Sequence, residues 1–171
     1  RNLTLILANI CNAPALISLD DDEVIADPDF LAKVDEDFEV LGREHPVFGL
    51  AGVYRHGDGG VLLPEPGTPW AGYWPKMRWM NAALTELAPA GPRLKPTYLG
   101  FGGNLALPAA LCRRLPFDPA ITRGEDTDYI LNARLFGIPF FLDHTLSIIH
   151  LPPDKPHPTW MRLRQDLMRF C

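Results

Sequence analysis

Residues 15–23 read ALISLDDDE, an apolar stretch of strand length that ends abruptly in four consecutive acidic residues. Parallel-sheet enzymes place their chemistry at the carboxyl ends of strands. A carboxylate cluster at such an end can hold a divalent cation, and a divalent cation in turn binds phosphate oxygens. This stretch therefore predicts an α/β fold with a cation site at the end of its first strand.

The composition predicts one globular domain with an ordinary hydrophobic core. Of the 171 residues, 47% are hydrophobic and 22% are charged, which is typical of a globular chain of this size. The formal net charge of -5 argues against a dedicated nucleic-acid binder, since such a protein presents a basic surface. We therefore expect no nucleic-acid partner.

Cysteine usage and hydropathy bear on the cellular location. Cys11, Cys112 and Cys171 form no CxxC pair and leave one cysteine over in any disulfide scheme, which favours a reducing compartment. No apolar run approaches the roughly 18 residues of a membrane span, and no signal peptide precedes the first predicted element. We expect a cytoplasmic protein without a transmembrane segment, for which surface contact at the inner face of a membrane stays open.

Hydrophobic periodicity predicts an alternation of helices and strands. Helices are predicted from Asn2 to about residue 10, from Asp27-Pro28-Asp29 to Gly42, over 76–87, near 108–114, from the acidic stretch 125–128 to Gly137, and after the proline-rich link 152–158. Strands are predicted over 15–19, 47–53, the end of 98–107, 139–142 and 146–150. A helix at the second residue, with no strand before it, is an unusual beginning for an α/β domain, so we expect that preceding structure is missing from this sequence.

Residues 54–97 are predicted to form an irregular insertion. Glycine and proline dominate its first part, and an aromatic patch of Trp70, Tyr73, Trp74 and Trp79 follows. Long irregular insertions in compact domains are usually functional or mobile. A surface loop whose aromatic residues pack into the core is the alternative.

Asp20 and Asp22 are the first candidates for a functional site. In an extended stretch alternate side chains point the same way, so both carboxylates can face one ion, and hard oxygen ligands suit Mg²⁺ or Mn²⁺. An EF-hand loop beginning at Asp20 is excluded, because Ile25 and Leu31 stand where that loop needs glycine and glutamate. The alternative is an acidic turn that also caps the next helix, although Asp27 is already placed to do so.

Glu125, Asp126 and Asp128 form a second acidic group at the predicted start of a helix. Acidic residues there are favoured by the helix dipole, by about 0.3–1 kcal/mol each, and this alone could account for them. The functional interpretation is a general base that deprotonates an acceptor hydroxyl, for which a rigid helix start gives a defined position.

His150 ends an apolar strand just before two prolines. A lone histidine in such a place is more often a structural residue than a ligand. Its spacing from His144 does not fit a helical HxxxH zinc pair. A third ligand that completes the Asp20 and Asp22 site is the functional alternative.

In combination, these motifs resemble the catalytic half of a GT-A-type, family-2-like glycosyltransferase. The resemblance covers residues 1–152 and consists of Arg1-Asn2, the DxD at 20–22, DPDFL at 27–31, GGNLA at 102–106, RGEDTD at 123–128 with Arg134 and Gly137, and His150. It implies a partial GT-A (Rossmann-like) α/β/α sandwich with a mixed, mostly parallel sheet. Residues 54–97 would be an acceptor-side insertion, and 153–171 a C-terminal amphipathic helix.

The resemblance also implies roles for single residues. Asp20, Asp22 and His150 would hold Mn²⁺ or Mg²⁺ together with the donor diphosphate. Arg1, Asp21 and Asp22 would bind the nucleotide-sugar donor. Asp126 would be the general base of an inverting displacement, with Glu125 as second candidate. The acceptor, a carbohydrate, lipid-linked or other hydroxyl compound, would meet Gly102, Gly103, Asn104 and Trp79.

The chain departs from the family pattern in two respects. The N-terminal strands that hold the nucleotide base are absent, and no QxxRW follows the Glu-Asp helix, which speaks against a processive polymerase. A magnesium-dependent nucleotidyltransferase or phosphatase is the alternative enzyme class, although its phosphate-anchoring loop is not found. A non-catalytic carbohydrate-binding module, with aromatic residues as stacking surfaces, is the alternative outside enzymes.

Overall fold

The structure is a computed structural model that describes residues 1–57, 59–63, 73, 75–87, 91–121, 124–151, 160, 161 and 164. Its helices are α1 (Asn2–Ile10), α2 (Phe30–Gly42), α3 (Lys76–Leu87), α4 (Ala109–Cys112) and α5 (Glu125–Leu135). Its strands are β1 (Ala15–Ser18), β2 (Glu23–Val24), β3 (Gly49–Arg55), β4 (Leu94–Thr97), β5 (Leu105–Pro108) and β6 (Phe140–His150). A 3₁₀ turn over Gly102–Asn104 precedes β5.

The strands form one mixed sheet in the order β1-β5-β3-β6, and the far edge of β6 pairs with β4 and β2. The prediction of an α/β fold with a mixed sheet is confirmed. The prediction that the sheet is mostly parallel is wrong, because in the described part only β3 and β6 pair in parallel, and the other four pairings are antiparallel. The three short strands β2, β4 and β5 cause this, since each runs antiparallel to its neighbours.

Helices pack on both faces of the sheet. Along β5, Leu105 and Leu107 face one core while Ala106 faces the other, as the two-residue period of a strand requires. The first core is closed by α1, α4 and α5, and the second by α2 through Phe30 and Val34. The sheet is therefore buried on both sides, which explains the nearly continuous apolar stretches in β3 and β5.

Helix α1 lies where it is predicted but is oriented differently. Its repeated apolar positions Leu3, Ile6, Leu7 and Ile10 are 49–70% exposed, and Leu5 is the residue that enters the core. Asn2 does not cap the helix either: its amide donates to the carbonyl of Phe117, and its oxygen accepts the Phe117 N–H, both at 2.8 Å. These two hydrogen bonds fix the rotation of α1 about its own axis. The face that periodicity predicts to be buried is therefore turned to solvent.

Strand β6 corrects a second prediction, since the two strands expected over 139–142 and 146–150 form one strand. Its pairing with β3 is interrupted: Ala51 is opposite Leu142, but Val53 is already opposite Ser147. The buried amide of Asn104 spans this irregularity by donating to the carbonyls of Val53 (3.1 Å) and Leu146 (3.0 Å). The side-chain period is broken there, and for that reason the sequence suggests two strands.

The predicted insertion 54–97 is more regular than expected. It contains the predicted helix 76–87 as α3, and it also contains β4, which pairs with β6 although Pro96 lies within it. Proline is accepted in β4 because this strand is short and lies at an edge of the sheet. Trp70, Trp74 and most of the predicted C-terminal helix lie outside the described residues.

Helix α5 ends at Leu135, and Gly137, the glycine predicted to close it, lies just beyond its cap residue Phe136. This glycine adopts φ 71°, and its N–H donates to the Arg134 carbonyl while the Ile138 N–H donates to that of Ala133. The two bonds form a Schellman motif, which favours glycine at this position. Among the described helices, none has the length and hydropathy needed to cross a bilayer.

Candidate functional site

The sequence-predicted residues collect at one edge of the sheet. Strands β1, β3 and β6 all point to this edge, because β1 and β3 are both antiparallel to β5, and β6 is parallel to β3. The Asp20 turn follows β1, His150 ends β6, and the Gly102–Asn104 turn leads into β5 at the same edge. Strand ends are where parallel-sheet enzymes place their sites.

The guanidinium of Arg1 connects the two acidic groups. Its Nε donates to Glu125 Oε1 at 2.8 Å, and its Nη2 lies 3.2 Å from Asp20 Oδ1. Its Nη1 donates to the Ser18 hydroxyl at 2.6 Å and to the Gly102 carbonyl at 2.7 Å. The chain segments around residues 1, 18–20, 102 and 125 therefore meet at the Arg1 side chain. We call Arg1, Ser18, Asp20, Gly102 and Glu125 the Arg1 network.

The carboxylates around Arg1 stabilise the positive charge of its guanidinium. Burial alone would lower the pKa of Arg1, but the nearby carboxylates of Asp20, Glu125 and Asp126 outweigh burial and raise it. The Arg1 side chain is 23% exposed, and Asp20 and Glu125 are 43% and 27% exposed. The network is therefore a partly shielded ion cluster in which the cation is firmly protonated.

Asp126 is held beside this cluster at the start of α5. Its Oδ2 accepts the N–H of Gly102 at 3.1 Å, and its Oδ1 accepts the N–H of Thr127 at 2.7 Å. The Thr127 hydroxyl also donates to Oδ1, at 3.4 Å, and the lone pairs of the carboxylate still outnumber these three donors. Asp126 can therefore accept a proton from a group that approaches this edge.

Asp20 and Asp22 do not point to one spot, in contrast to the expectation from an extended stretch. Residues 20–23 form a turn in which the Glu23 N–H donates to the Asp20 carbonyl at 3.3 Å. As a result Asp20 meets Arg1, whereas Asp22 Oδ2 lies 3.3 Å from His150 Nε2. The structure thus joins the predicted ligands Asp22 and His150, and it places Asp20 in the Arg1 network.

A divalent cation needs several ligands that converge on one point. The described residues include no group of three or more His, Cys, Asp or Glu side chains arranged to hold a metal. The carboxylate–imidazole pair of Asp22 and His150 offers two ligands. Carboxylate and imidazole are side chains of kinds that ligate Mn²⁺ in proteins, and Mg²⁺ and Mn²⁺ sites commonly include water and substrate phosphates as further ligands.

Tyr54 is a site residue that sequence reasoning missed. Its ring is stacked against Phe101 (4.3 Å between centroids) and against His150 (5.2 Å). Its hydroxyl accepts the Gly103 N–H at 3.0 Å and hydrogen-bonds to Glu23. Burial raises the pKa of Tyr54, and the Glu23 carboxylate adds to this effect. Its position at the polar end of a buried strand is the signal that could have found it.

Glu23 is the second missed residue. Only 7% of it is exposed, and its Oε2 accepts the Asp20 N–H at 2.7 Å. Burial raises the pKa of Glu23, and the charges of Asp20 and Asp22 act in the same direction, against the hydrogen bonds from Tyr54 and from Asp20. Glu23, the last acidic residue of the DDDE stretch, thus stabilises the turn through a buried hydrogen bond to the Asp20 backbone.

The predicted acceptor-side residues differ in their surroundings. Gly102 and Gly103 lie at the edge, where their backbone groups bond to Arg1, Asp126 and Tyr54, whereas the Asn104 side chain is used inside the sheet. Trp79 lies on α3 and is 60% exposed. Leu84 of the same helix packs on Phe101, the partner of Tyr54, so α3 borders this edge. Asp21 is exposed on the turn.

Comparison of the chain with protein-family models, curated proteins and solved structures found no match to any of them. The functional interpretation therefore depends on the geometry of this edge and on the motifs that form it.

Proposed function

We propose that this protein is a metal-dependent glycosyltransferase of GT-A type that moves a hexose from a nucleotide-sugar to a hydroxyl acceptor, by inversion and without processivity. The observation that carries the proposal is the Arg1 network, which joins the DxD turn after β1 to the Glu-Asp pair at the start of α5. A transferase of this kind needs a phosphate-binding group and a base within one site, and these two motifs supply candidates for both.

Asp126 is the proposed general base. Its carboxylate is held by the backbone N–H groups of Gly102 and Thr127 at a rigid helix start, so its position relative to an acceptor would vary little. General-base catalysis typically contributes about 10²–10⁴-fold to a rate. Glu125 is the weaker candidate, because Arg1 already engages it.

Asp22 and His150 are the residues proposed to hold Mn²⁺ or Mg²⁺. When bound, such a cation neutralises negative charge that develops on a leaving diphosphate. Asp20 keeps Arg1 in place, and Arg1, Asp21 and Asp22 are the residues proposed to contact the donor. Burial of Glu23 beneath the turn supports the same arrangement, since it fixes the backbone of Asp20.

The proposed acceptor approaches along the Gly102–Gly103 backbone and the α3 side, where Trp79 offers an aromatic face. Stacking on aromatic rings suits the apolar faces of sugars. A carbohydrate or a lipid-linked sugar fits this side equally, and the second would bring the protein to a membrane surface as a peripheral enzyme.

The test is an assay of the intact protein against a panel of nucleotide-sugars with Mn²⁺, in which nucleoside diphosphate release and sugar transfer are measured separately. We expect Asp126→Asn to lower kcat about 10²-fold or more with little change in KM. The matched control is Asp128→Asn, which removes the same charge from the same helix turn, where Asp128 contacts Asn132 rather than the network.

Four outcomes would contradict the proposal. Full transfer by Asp126→Asn would remove the proposed base, and full transfer by the double variant Asp22→Asn/His150→Ala would remove the proposed metal site. Release of free phosphate or pyrophosphate without sugar transfer would instead indicate a phosphatase or nucleotidyltransferase. Sugar binding that is insensitive to a chelator, with no turnover of any donor, would indicate a carbohydrate-binding module.

A further inference from the structure

A cavity lies at the opposite end of α5 from the Arg1 network. Its volume is about 360 Å³, and its lining includes Tyr98, Ile130, Arg134, Ile138 and Phe140. Helix α5 has 11 residues and is therefore about 16 Å long. Because Glu125 begins this helix and Arg134 ends its last turn, the cavity is separate from the candidate catalytic site.

The walls of the cavity are mostly apolar. Ile130, Ile138 and Phe140 are no more than 7% exposed and form its floor, and two prolines complete the sides. The volume is within the range of about 300–1,000 Å³ that is usual for small-molecule sites. The floor therefore belongs to the core, whereas the rim, which includes Tyr98, Arg134 and Gly137, is exposed to solvent.

Two polar side chains are left to meet a ligand there. Within the described part of the chain, neither the Arg134 guanidinium nor the Tyr98 hydroxyl has an ion pair or hydrogen bond. The Thr97 hydroxyl, by contrast, is used by both backbone groups of Leu99. A guanidinium binds carboxylate and phosphate oxygens through paired, charge-assisted hydrogen bonds.

The helix end does not repel an anion as strongly as an open C-terminus would. The carbonyls of Ala133 and Arg134 already accept the N–H groups of Ile138 and Gly137. Around the same helix end, Leu131, Leu135 and Phe136 are 47%, 82% and 74% exposed. The surroundings therefore favour a ligand with an apolar body rather than a sugar or another polyhydroxylated molecule.

We propose that this cavity binds a small amphiphilic anion, with a carboxylate or phosphate head at Arg134 and Tyr98 and an apolar body against Ile130, Ile138 and Phe140. This site is independent of the proposed transferase activity. Among the described residues that line this cavity, Arg134 is the one cation, so the head of such an anion has a single cationic partner there.

The test compares three probes by isothermal titration calorimetry on the intact protein: octanoate, octyl phosphate and the neutral 1-octanol. We expect saturable binding of at least one anion, and the tighter of the two identifies the head group. Arg134→Gln should weaken the binding of that anion about tenfold and leave 1-octanol binding unchanged. Arg114→Gln, which removes an equal charge from an exposed position elsewhere, should change neither.

A second variant tests the location without touching the charge. At Gly137 an added Cβ would meet no atom within 4 Å, and the backbone φ is +71°, a conformation that asparagine tolerates better than other residues. Gly137→Asn should therefore place a side chain at the cavity and weaken all three probes, with the fold checked by circular dichroism.

Nuclear magnetic resonance of the unmodified protein tests the location of the site without any variant. Octanoate or octyl phosphate should shift the backbone amide signals of Tyr98, Gly137 and Ile138 before those of Gly102 and Asp126. No saturable binding of either anion, equal binding by Arg134→Gln, or shifts confined to the Arg1 network would each overturn the proposal.

Discussion

At the scale of single residues, the glycine pair before β5 explains how the charged groups come so close together. A Cβ on Gly102 would lie 2.5 Å from Arg1 Nη2, and a Cβ on Gly103 would lie 1.8 Å from Glu23 Oε2. Neither glycine has a positive φ, so space rather than backbone conformation requires them. The pair lets a guanidinium and a buried carboxylate approach the main chain from two sides.

Gly103→Ala should therefore destabilise the protein by about 1–3 kcal/mol, because the methyl group displaces Glu23 from its bonds to Tyr54 and Asp20. Gly42→Ala is the matched control. Gly42 ends α2, and a Cβ there meets no atom within 4 Å, so alanine should be neutral or stabilising by up to about 1 kcal/mol. Urea unfolding of both variants measures the difference, and equal unfolding free energies would show that the close contact is not required.

The sequence identifies the polar residues at this edge better than it identifies their partners. Asp126 and His150 could be predicted because each stands at an element boundary that periodicity marks clearly. Tyr54, at the polar end of β3, carries a signal of the same kind. Glu23 could not be predicted, because its role depends on the pairing of β2 with β6, which brings it opposite His150. A two-residue strand leaves no periodic signal, so a contact that depends on it cannot be read from spacing.

At the scale of elements, the weak periodic signal of short strands also explains why the prediction of a mostly parallel sheet is wrong. Long elements with a regular apolar period, such as α2, α3 and α5, lie within a few residues of their predicted bounds. The direction of short strands is set by the turns and contacts between them, and β4 and β5 have four residues each. The sequence therefore predicts the helices and the two faces of the sheet, but not the antiparallel pairing.

A buried acid pair joins three of these elements on the α2 side of the sheet. Asp37 of α2 and Asp143 of β6 are both fully buried, and the Arg93 guanidinium, just before β4, contacts both. Glu36 also pairs with Arg93, at 2.9 Å. Burial raises the pKa of Asp37 to about 7, and the neighbouring Asp143 adds to the shift while Arg93 opposes it.

Because of Asp37, the free energy of unfolding should fall as pH rises. Because the native pKa of Asp37 lies above its ordinary value of 3.8, the folded protein binds more protons than the unfolded chain between pH 3.8 and about 7. The stability that this group supplies is fully present below pH 3.8, decreases as pH rises, and is constant above about pH 7.

Asp37→Asn should remove this dependence. Relative to the unmodified protein, the unfolding free energy of the variant should rise by at most about 1.4 kcal/mol per pH unit on going from pH 4 to pH 7. Asp35→Asn, an exposed position of the same helix, should keep the original dependence. Guanidinium unfolding at several pH values provides the measurement, and identical pH profiles for Asp37→Asn and the unmodified protein would contradict the prediction.

At the scale of the whole molecule, Arg1 ties parts of the chain that the sheet alone does not hold. Its partners lie at the end of β1 (Ser18), in the turn before β5 (Gly102) and at the start of α5 (Glu125). Helix α1, which begins at the next residue, contributes Leu5 to the core and little else from its apolar face. The attachment of this helix therefore depends on polar contacts at its start more than on apolar burial.

Arg1→Gln should lower the unfolding free energy by about 1–3 kcal/mol, because it leaves Asp20 and Glu125 close together without a cation between them. Repulsion between these carboxylates is screened by salt, so the loss should be smaller in 1 M NaCl than at low ionic strength. Arg43→Gln, an exposed position at the end of α2, should change stability little at either salt concentration. Hydrogen exchange should show faster opening of α1 and of the α5 start before other helices; uniform acceleration across the chain would instead mean that the Arg1 network supports the entire fold equally.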